Sequence, residues 1–269
     1  MKLLQQQENW PQSWKDSYAY DREEIYGEVS NHGYVAAYEN RWRQTLRLLT
    51  DVLEPGGRVL DLAAAQGNFS LALAEMGYDV TWNDLRAELA EYVRLKHERG
   101  QIHFEPGNAF DLELSSPFDA VLITEVMEHV AHPDELLRKA ASLVRPGGYI
   151  VMTTPNGAYF RNGLPRFSDC ADPSIYEAEQ FKPDADGHIF LLHPDEILAL
   201  AKRANLNVDM MNLFTNPLTA GHMKMERLLR VFPKRWIDRF EAAAQQLPFP
   251  VKQKALVQIA VRFQKPAAG

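Results

Sequence analysis

The amino-acid sequence predicts an α/β protein built on a doubly wound, mostly parallel sheet of seven strands, with helices on both faces. The first observation behind this prediction is that short apolar runs alternate with helical patterns between residues 58 and 153. Strands separated by helices of ten or more residues pair in parallel through right-handed crossovers. The second observation is a length of 269 residues with a hydrophobic fraction of 46%. Such a chain can bury one substantial core.

Each element is predicted from its own pattern of apolar residues. Residues 1–34 are polar and rich in Tyr and Trp, without a clear period. In residues 35–53 apolar side chains recur three or four positions apart, as on one face of a helix. Strands are predicted at residues 58–64, 79–83, 102–105, 118–124, 149–153, 208–214 and 256–263. Further helices are predicted at 68–76, 86–98, 133–144 and 194–204, and inserts at 157–187 and about 221–246, the second of them helical.

Charge and composition exclude several classes of protein. The chain has 29 Lys and Arg against 36 Asp and Glu, a formal net charge of −7, and it has no dense basic run. Phosphate backbones repel such a chain, so we expect no nucleic-acid partner. The single cysteine, Cys170, cannot form an intrachain disulfide. No stretch approaches the roughly 20 apolar residues that span a bilayer, and the N-terminus lacks a signal-peptide pattern. We therefore expect a cytoplasmic protein without a membrane span.

Small and polar residues follow the first three strands, where ligands of doubly wound sheets bind. Asp61 precedes a run of tiny residues that ends in Gly67 at a predicted helix start. Such a turn lets a ligand approach the backbone and the free N–H groups of the helix, although Ala-rich turns also serve helix–sheet packing. Asp84 is placed to bind ribose hydroxyls or to cap a helix. Asn108 suits an adenine edge or a simple turn. The turn could hold either a nucleoside or a dinucleotide.

Three ionisable residues follow the fourth strand within five positions: Glu125, Glu128 and His129. A neutral His129 could act as a general base near pH 7. The two carboxylates and the imidazole could equally hold a divalent cation such as Mg, Mn or Fe. A third interpretation is structural, with solvated glutamates and a histidine that caps the chain.

Taken together, these residues resemble class I methyltransferases that use S-adenosylmethionine (SAM). The resemblance covers roughly residues 35–263 and is sharpest over 58–156. The family's first motif is an acid followed by three spaced glycines, and here it reads Asp61, Ala63, Ala65 and Gly67. Alanine fits the first two glycine positions if both residues keep negative φ.

The residues further along are similar to ubiquinone-pathway O-methyltransferases and their small-molecule relatives. The similarity lies in the segment from Glu125 to His129, in Arg145-Pro-Gly-Gly, and in Thr153-Thr-Pro-Asn. It implies a Rossmann-like fold, SAM as cofactor, a methyltransferase domain over residues 35–269, and His129 and Glu128 as catalytic residues. By the same resemblance, SAM would contact Asp61, Ala63, Ala65, Gly67, Asp84, Leu85, Asn108, Ala109 and Glu125.

The resemblance also suggests what surrounds the acceptor. The insert 157–187 would wall the acceptor pocket, and its Arg161, Arg166 and Lys182 could meet a phosphate or carboxylate. Residues 1–34, which include Trp14, Tyr18 and Tyr20, would fold over the site as a lid or would pack as an ordinary terminal helix.

A metal-dependent alternative comes from the small-RNA 3′-end methyltransferases, in which a Glu-x-x-Glu-His segment and a later His bind a metal. The equivalent residues here are Glu125, Glu128, His129 and His188, with Mg or Mn as the cation. The favoured function is O-methylation of a small molecule such as a sugar, a phenol or a quinone precursor. The alternatives are a metal-assisted RNA 2′-O-methyltransferase, a non-catalytic SAM-binding protein, and an NAD-dependent oxidoreductase. The last is disfavoured because no hydride-transfer set such as Tyr-x-x-x-Lys follows.

Overall fold

The computed structural model describes residues 1–28, 30–114, 116–180, 187–220 and 233–267. Within these residues the strands form a single sheet in the order β3-β2-β1-β4-β5-β7-β6. The strands are β1 (Arg58–Leu62), β2 (Asp79–Trp82), β3 (Gln101–Phe104), β4 (Phe118–Thr124), β5 (Val144–Pro155), β6 (Asn207–Phe214) and β7 (Gln258–Gln264). The first five are parallel, and β7 runs antiparallel between β5 and β6. The predicted fold class is confirmed.

The strand order places a ligand crevice beside β1. The chain leaves β1 towards β2 and β3, and then returns to β4 on the other side of β1. Leu60 pairs with Val121 and Leu62 with Ile123, so the carboxyl ends of β1 and β4 lie side by side. Crossovers on opposite sides of such a point leave an open crevice beyond the strand ends.

The helices cover both faces of the sheet. They are α1 (Gln12–Glu24), α2 (His32–Thr50), α3 (Asn68–Glu75), α4 (Leu89–Lys96), α5 (Pro133–Leu143), α6 (Pro194–Arg203), α7 (Lys234–Gln245) and α8 (Phe249–Ala255). Short 3₁₀ turns lie at Ala109–Asp111, Met127–His129, Phe167–Asp169 and Pro173–Tyr176. Among the described helices, none has the length and apolar character needed to cross a membrane.

Three helices depart from the predicted pattern. Helix α4 begins at Leu89 rather than at residue 86, because Asp84 accepts a hydrogen bond from the Arg86 N–H and holds a turn there. Helix α8 was not predicted. Of the predicted helical insert 221–246, residues 221–232 lie outside the described part of the chain, and the remainder contains α7.

The core is divided by the sheet into two layers. Alternate residues of a strand face opposite sides. In β4, Ala120 and Leu122 belong to the layer that contains Leu48 of α2, while Val121 and Ile123 belong to the layer under α5. All five side chains are fully buried. Rigid strands with both faces covered therefore support the residues at the strand ends.

Candidate active site

The turn between β1 and α3 has an unusual backbone. Ala63 has a φ of 52°, Ala65 of 48° and Gly67 of 70°. The condition of negative φ, under which alanine would fit these two positions without strain, is therefore not met. The turn thus leads from β1 into α3 through three left-handed residues at alternate positions. For a residue with a Cβ, the left-handed conformation costs about 1–2 kcal/mol.

Replacing Ala65 by Gly is expected to stabilise the protein by about 0.5–1 kcal/mol, because relief of left-handed strain exceeds the added entropy of the unfolded chain. Thermal unfolding would detect this as a rise in Tm of about 1–4 °C. The matched control is Ala242→Gly, at an exposed position inside α7, which should lower stability by about 0.5–1 kcal/mol. Equal losses in both variants would contradict the strain argument.

Gly67 is required by packing as well as by its backbone angle. A Cβ at this position would lie 2.9 Å from both methyl groups of Val93 and 3.3 Å from Trp82 Cδ1. The Trp82 indole also donates a hydrogen bond of 3.0 Å to the Ala65 carbonyl. The glycine of the motif is thus kept where the start of α3 packs against Val93 of α4 and Trp82 of β2.

Asp84 holds the turn from the end of β2. Its Oδ2 accepts a 2.8 Å hydrogen bond from the Ala65 N–H, and its Oδ1 accepts one of 2.9 Å from the Arg86 N–H. The Arg86 Nε lies 3.0 Å from the same Oδ1. Asp84 does not cap the next helix, since Glu88 is the N-cap residue of α4. The carboxylate thus lies against the turn, and its ribose role stays a prediction.

Asp61 is almost fully buried beneath the turn. Its Oδ2 accepts a 2.6 Å hydrogen bond from the Ser70 hydroxyl. Among the described residues, no donor reaches its buried Oδ1. Burial, with a smaller contribution from Asp84, raises the pKa of Asp61 to about 7. A carboxylate with one unpaired buried oxygen is suited to a ligand that brings a hydrogen-bond donor.

The loop after β3 joins the same rim. Asn108 caps the 3₁₀ turn, because its Oδ1 accepts a 3.1 Å hydrogen bond from the Phe110 N–H; this is the turn role considered as the alternative to adenine binding. Ala109 begins that turn, and Leu85 is 47% exposed beside Asp84.

Sequence reasoning missed Asn83, which joins these loops. Its buried amide donates hydrogen bonds of 2.8 and 2.9 Å to the carbonyls of Glu105 and Gly107. The Asn83 carbonyl also accepts a 2.8 Å hydrogen bond from the Ala64 N–H. The ends of β1, β2 and β3 are therefore tied together, as the strand-end prediction required. The available signal was a second polar residue directly before Asp84, at the end of the predicted strand 79–83.

Glu125 is held in a left-handed conformation, with a φ of 54°, at the end of β4. Its Oε2 lies 3.1 Å from Arg41 Nη1 of helix α2. Its Oε1 is buried and receives no donor from the described residues. The sequence analysis also missed Arg41, although a charge between Tyr38 and Trp42 on the apolar side of a helix was a signal.

Glu128, His129 and His188 form a compact cluster. Candidate ligand atoms of the three side chains lie within 4.8 Å of one another. Glu128 Oε2 accepts a 3.0 Å hydrogen bond from the Thr154 hydroxyl, and Oε1 lies 4.0 Å from His129 Nε2. The imidazole rings are 4.9 Å apart. Burial and the nearby Glu125 raise the pKa of Glu128 well above its usual value. Glu125 itself pairs with Arg41 and lies outside this cluster.

A cavity of about 980 Å³ adjoins the cluster, with Glu125 and His188 in its wall. Its other sides are the segment before and within α2, the segment after β5, and residues near β7. This volume is typical of pockets for small organic ligands. Of the basic residues predicted in the insert, Arg161 lines the cavity, while Arg166 pairs with Asp195. Lys182 lies outside the described residues.

The N-terminal helix contacts the turn through its polar side. Glu24 Oε2 accepts hydrogen bonds of 3.0 Å from Gln66 and 2.9 Å from Asn68. Trp14 and Tyr18 instead pack around Trp10 and against helix α4. In these contacts the carboxylate of Glu24 meets the turn, whereas Trp14 and Tyr18, on which the lid prediction rested, pack beside Trp10.

The fold and the strand-end turn define a class of Rossmann-like α/β proteins that bind a nucleoside-type cofactor beyond the carboxyl ends of the strands. A family model described as a methyltransferase domain matches residues 34–210. The chain belongs to this family of methyltransferase domains.

Known relatives agree with this assignment. A ubiquinone biosynthesis O-methyltransferase of Xanthomonas campestris pv. campestris (strain B100) is 39% identical over 106 residues, which cover 38% of this chain and 44% of the relative. The chain thus spans less than half the length of this relative. A ubiquinone biosynthesis O-methyltransferase of Bordetella avium (strain 197N) is 30% identical over 169 residues, covering 61% of this chain and 68% of the relative.

Solved structures share the fold at low sequence identity. A SAM-dependent methyltransferase from Mesorhizobium loti superposes with a TM-score of 0.57 and 17% identity, over 84% of this chain and 97% of that one. This likeness supports the predicted Rossmann-like arrangement.

Proposed function

We propose that this chain transfers the methyl group of SAM to a hydroxyl of a small-molecule acceptor, such as a phenol, a sugar or a quinone-type precursor. The observation that carries the proposal is the cluster of Glu128, His129 and His188, in which His188 lines a cavity of about 980 Å³. Methyl transfer needs an aligned nucleophile and a group that removes its proton. His129 lies beside the buried carboxyl of Glu128 and would remove the proton. The nearby cavity is large enough to hold and align an organic acceptor.

The polar groups beneath the β1–α3 turn and at the end of β4 have the chemistry to bind SAM. Two buried carboxylate oxygens, on Asp61 and Glu125, have no donor among the described residues. The cofactor would bring donors in its ammonium group and its ribose hydroxyls. Arg41 and Glu125 offer opposite charges 3.1 Å apart, which suits the carboxylate and ammonium of the methionine portion. When bound, SAM supplies a methyl group activated by its sulfonium.

His129 is proposed to accept the proton of the acceptor hydroxyl on its imidazole. Glu128 would orient the ring and stabilise the imidazolium, since its Oε1 lies 4.0 Å from His129 Nε2. Thr154 holds the other carboxyl oxygen of Glu128. Burial favours a proton on Glu128, and a positive charge on His129 would favour its ionised form.

Replacing Asp84 by Asn tests the cofactor site. The amide cannot accept from both the turn and the ribose, so we expect the Kd for SAM to rise about tenfold, the loss of one charge-assisted hydrogen bond of about 1.5 kcal/mol. Titration calorimetry would measure it. The matched control is Asp111→Asn on the exposed 3₁₀ turn, for which the Kd should not change. An unchanged Kd in Asp84→Asn would remove this residue from the ribose role.

A divalent cation is the second candidate, because Glu128, His129 and His188 could coordinate it. Such a site would support a metal-assisted RNA 2′-O-methyltransferase. Glu125 would have to leave Arg41 to become the fourth predicted ligand. The net charge of −7 also opposes RNA binding.

We therefore expect EDTA-treated enzyme to keep its turnover. The assay is product formation before and after chelation, with Mg²⁺ or Mn²⁺ added back. Turnover lost on chelation and restored by either cation would make His129 a ligand and exclude it as the base at the same nitrogen.

A further inference from the structure

We propose that Gln258 selects acceptors that carry a carbonyl oxygen, because its side-chain amide donates a hydrogen bond into the cavity of about 980 Å³. This inference rests on the proposed function and specifies the class of acceptor. Gln258 lines the cavity and is only 6% exposed. The acceptor would place its reacting hydroxyl towards His188 and its carbonyl oxygen towards Gln258.

The sheet places Gln258 on the side of the site away from the cofactor turn. Strand β5 lies between β4 and β7, and Gln258 at the start of β7 pairs with Pro155 at the end of β5. Because β7 runs antiparallel to β5, its first residue reaches the rim at which Glu125 follows β4. Glu125, His188 and Gln258 all line the cavity. A ligand that fills the cavity can therefore meet the proposed catalytic cluster and Gln258 together.

A chain of hydrogen bonds fixes which way the Gln258 amide points. The Arg43 guanidinium, which can only donate, gives a 2.6 Å hydrogen bond to Asn40 Oδ1. The Asn40 amide nitrogen is thereby turned to the Thr215 hydroxyl, to which it donates at 3.3 Å. This hydroxyl has one hydrogen and donates it to Gln258 Oε1 at 2.7 Å. The nitrogen of the Gln258 amide is therefore the end that is turned away from Thr215.

The Gln258 amide nitrogen is the donor that this chain of bonds leaves unused. Among the described residues, the Gln258 side chain makes only the bond to Thr215. Its nitrogen does not belong to the enclosed polar atoms that lack a partner, so it is accessible, and the cavity is the open space that Gln258 lines. By contrast, the buried Asn156 in the same wall donates to the carbonyls of Gln253 and Leu256 at 2.8 and 2.6 Å. Asn156 therefore supports the wall, whereas Gln258 can bind a ligand.

Thr215 is held in a conformation that a β-branched residue rarely adopts. Its φ is 62°, and it is fully buried. Crowding at Cβ makes this left-handed backbone unfavourable for such a residue. The Thr215 carbonyl also accepts a 3.1 Å hydrogen bond from the Val257 N–H, directly before Gln258. Strain of this kind persists where the surrounding contacts over-determine it, and here those contacts orient the Gln258 amide.

The chemistry of this donor specifies the group that it binds. An amide nitrogen carries two hydrogens and accepts none. A carbonyl oxygen brings two lone pairs and no hydrogen, so it satisfies the donor completely. An amine or a methylene at the same place would leave the Gln258 donor without an acceptor, which costs binding free energy. Leu164, Leu191 and Val257 add apolar surface to the cavity, which suits the hydrocarbon body of a hydroxylated carbonyl compound.

The test compares ketones with partners in which a methylene replaces the carbonyl. The probes are 3,4-dihydroxyacetophenone with 4-ethylcatechol, and 4-hydroxycyclohexanone with cyclohexanol. Binding is measured by calorimetry on protein saturated with S-adenosylhomocysteine, so that no turnover is needed. We expect at least one ketone to bind about fivefold more tightly than its partner, which corresponds to about 1 kcal/mol.

Gln258→Met should abolish this preference, because methionine keeps the length of the side chain and lacks the N–H donor. The matched control is Gln264→Met, the same change on the same strand at a residue outside the cavity lining. This control should preserve the preference. The Kd for S-adenosylhomocysteine, measured on each variant, shows that the variant has folded.

Thr215 is a positioning residue, because it acts on the ligand through Gln258, and two variants test this role. Thr215→Ala removes the hydroxyl that orients the amide, and we expect the preference to fall to about twofold or less. Thr215→Ser keeps the hydroxyl and should retain the wild-type preference. A purely structural role of Thr215 would change the binding of both members of each pair equally.

Equal binding within both pairs, or no binding of either ketone, would overturn the proposal. It would equally be overturned if the preference survived in Gln258→Met, or if Gln264→Met removed it instead. A preference that is unchanged in Thr215→Ala would overturn the positioning role of Thr215.

The two proposals can fail separately. Ketone binding that depends on Gln258, without methyl transfer to any probe, would contradict the proposed reaction alone. Methyl transfer to both members of each pair, with equal Kd values, would contradict the role of Gln258 alone.

Discussion

Replacing Lys96 by Met is expected to lower the free energy of unfolding by about 3–5 kcal/mol, because it would leave a buried carboxylate without its counter-charge. Lys96 and Asp21 are both fully buried. The Lys96 ammonium donates 2.7 Å hydrogen bonds to Asp21 Oδ2 and to Asn68 Oδ1. Asp21 also accepts a 2.7 Å hydrogen bond from the Tyr92 hydroxyl. This network joins α1 to α4 and to the first residue of α3.

The pair is costly to form as well as costly to break. Burial lowers the pKa of Lys96 even though Asp21 favours the charged form. The desolvation of both ions therefore offsets much of their attraction. For this reason the double variant Asp21→Leu with Lys96→Met should recover part of the stability that the single variant loses.

Urea unfolding of the single and double variants would measure these effects. The control is Lys202→Met at the exposed end of α6, which should change stability by less than about 0.5 kcal/mol. A loss below about 1.5 kcal/mol for Lys96→Met would mean that water or a rearrangement compensates Asp21. The same outcome would mean that the network of Asp21, Lys96 and Asn68 does little to hold α1 beside the β1–α3 turn.

Replacing His129 by Ala is expected to lower turnover about a hundredfold or more while the Kd for SAM stays within twofold, since a positioned general base contributes about 10²–10⁴. The imidazole lies beside Glu128 and His188 rather than at the β1–α3 turn. Its loss therefore removes the proton acceptor and leaves the cofactor contacts in place.

Steady-state kinetics with a productive acceptor, together with SAM calorimetry, separates the two effects. His103→Ala, at an exposed position on β3, is the control and should keep wild-type turnover. A tenfold or smaller loss in His129→Ala would make this histidine a bystander. A parallel loss of SAM affinity would instead indicate a structural role.

Several site residues were predicted from the sequence because parallel strands end at one edge of a sheet. Asp61 lies near the end of β1, Asp84 and Asn108 follow β2 and β3, and hydrogen bonds join these strand ends. The conformation of the alanine turn was not predictable in this way, since φ at Ala63 and Ala65 depends on the path into α3. The roles of the site residues towards the cofactor remain predictions. The division into a lid segment at residues 1–34 and a methyltransferase domain at 35–269 also remains a prediction.

Helix α1 shows why periodicity fails for some elements. Its buried residues are the polar Ser17 and Asp21, and its apolar contacts come from the partly buried Trp14 and Tyr18. The side that faces the protein is therefore mixed and gives no clear hydrophobic period. Arg41 was missed for a related reason, because it is a charged residue on the inward side of α2 and its partner Glu125 is remote in sequence. The two charges of such a pair meet only after α2 packs against the sheet.

By itself, the sequence determined the α/β class, the positions of the strands and the residues at their carboxyl ends, because these depend on local apolar periodicity and on how parallel strands align. Only the tertiary structure decided that His188 joins Glu128 and His129, that Glu125 pairs with Arg41, and that Arg161 rather than Arg166 lines the cavity. These outcomes depend on the paths of long segments across the sheet. Contacts between residues far apart in the chain are selected by packing and charge pairing in the folded state, and local patterns do not encode them.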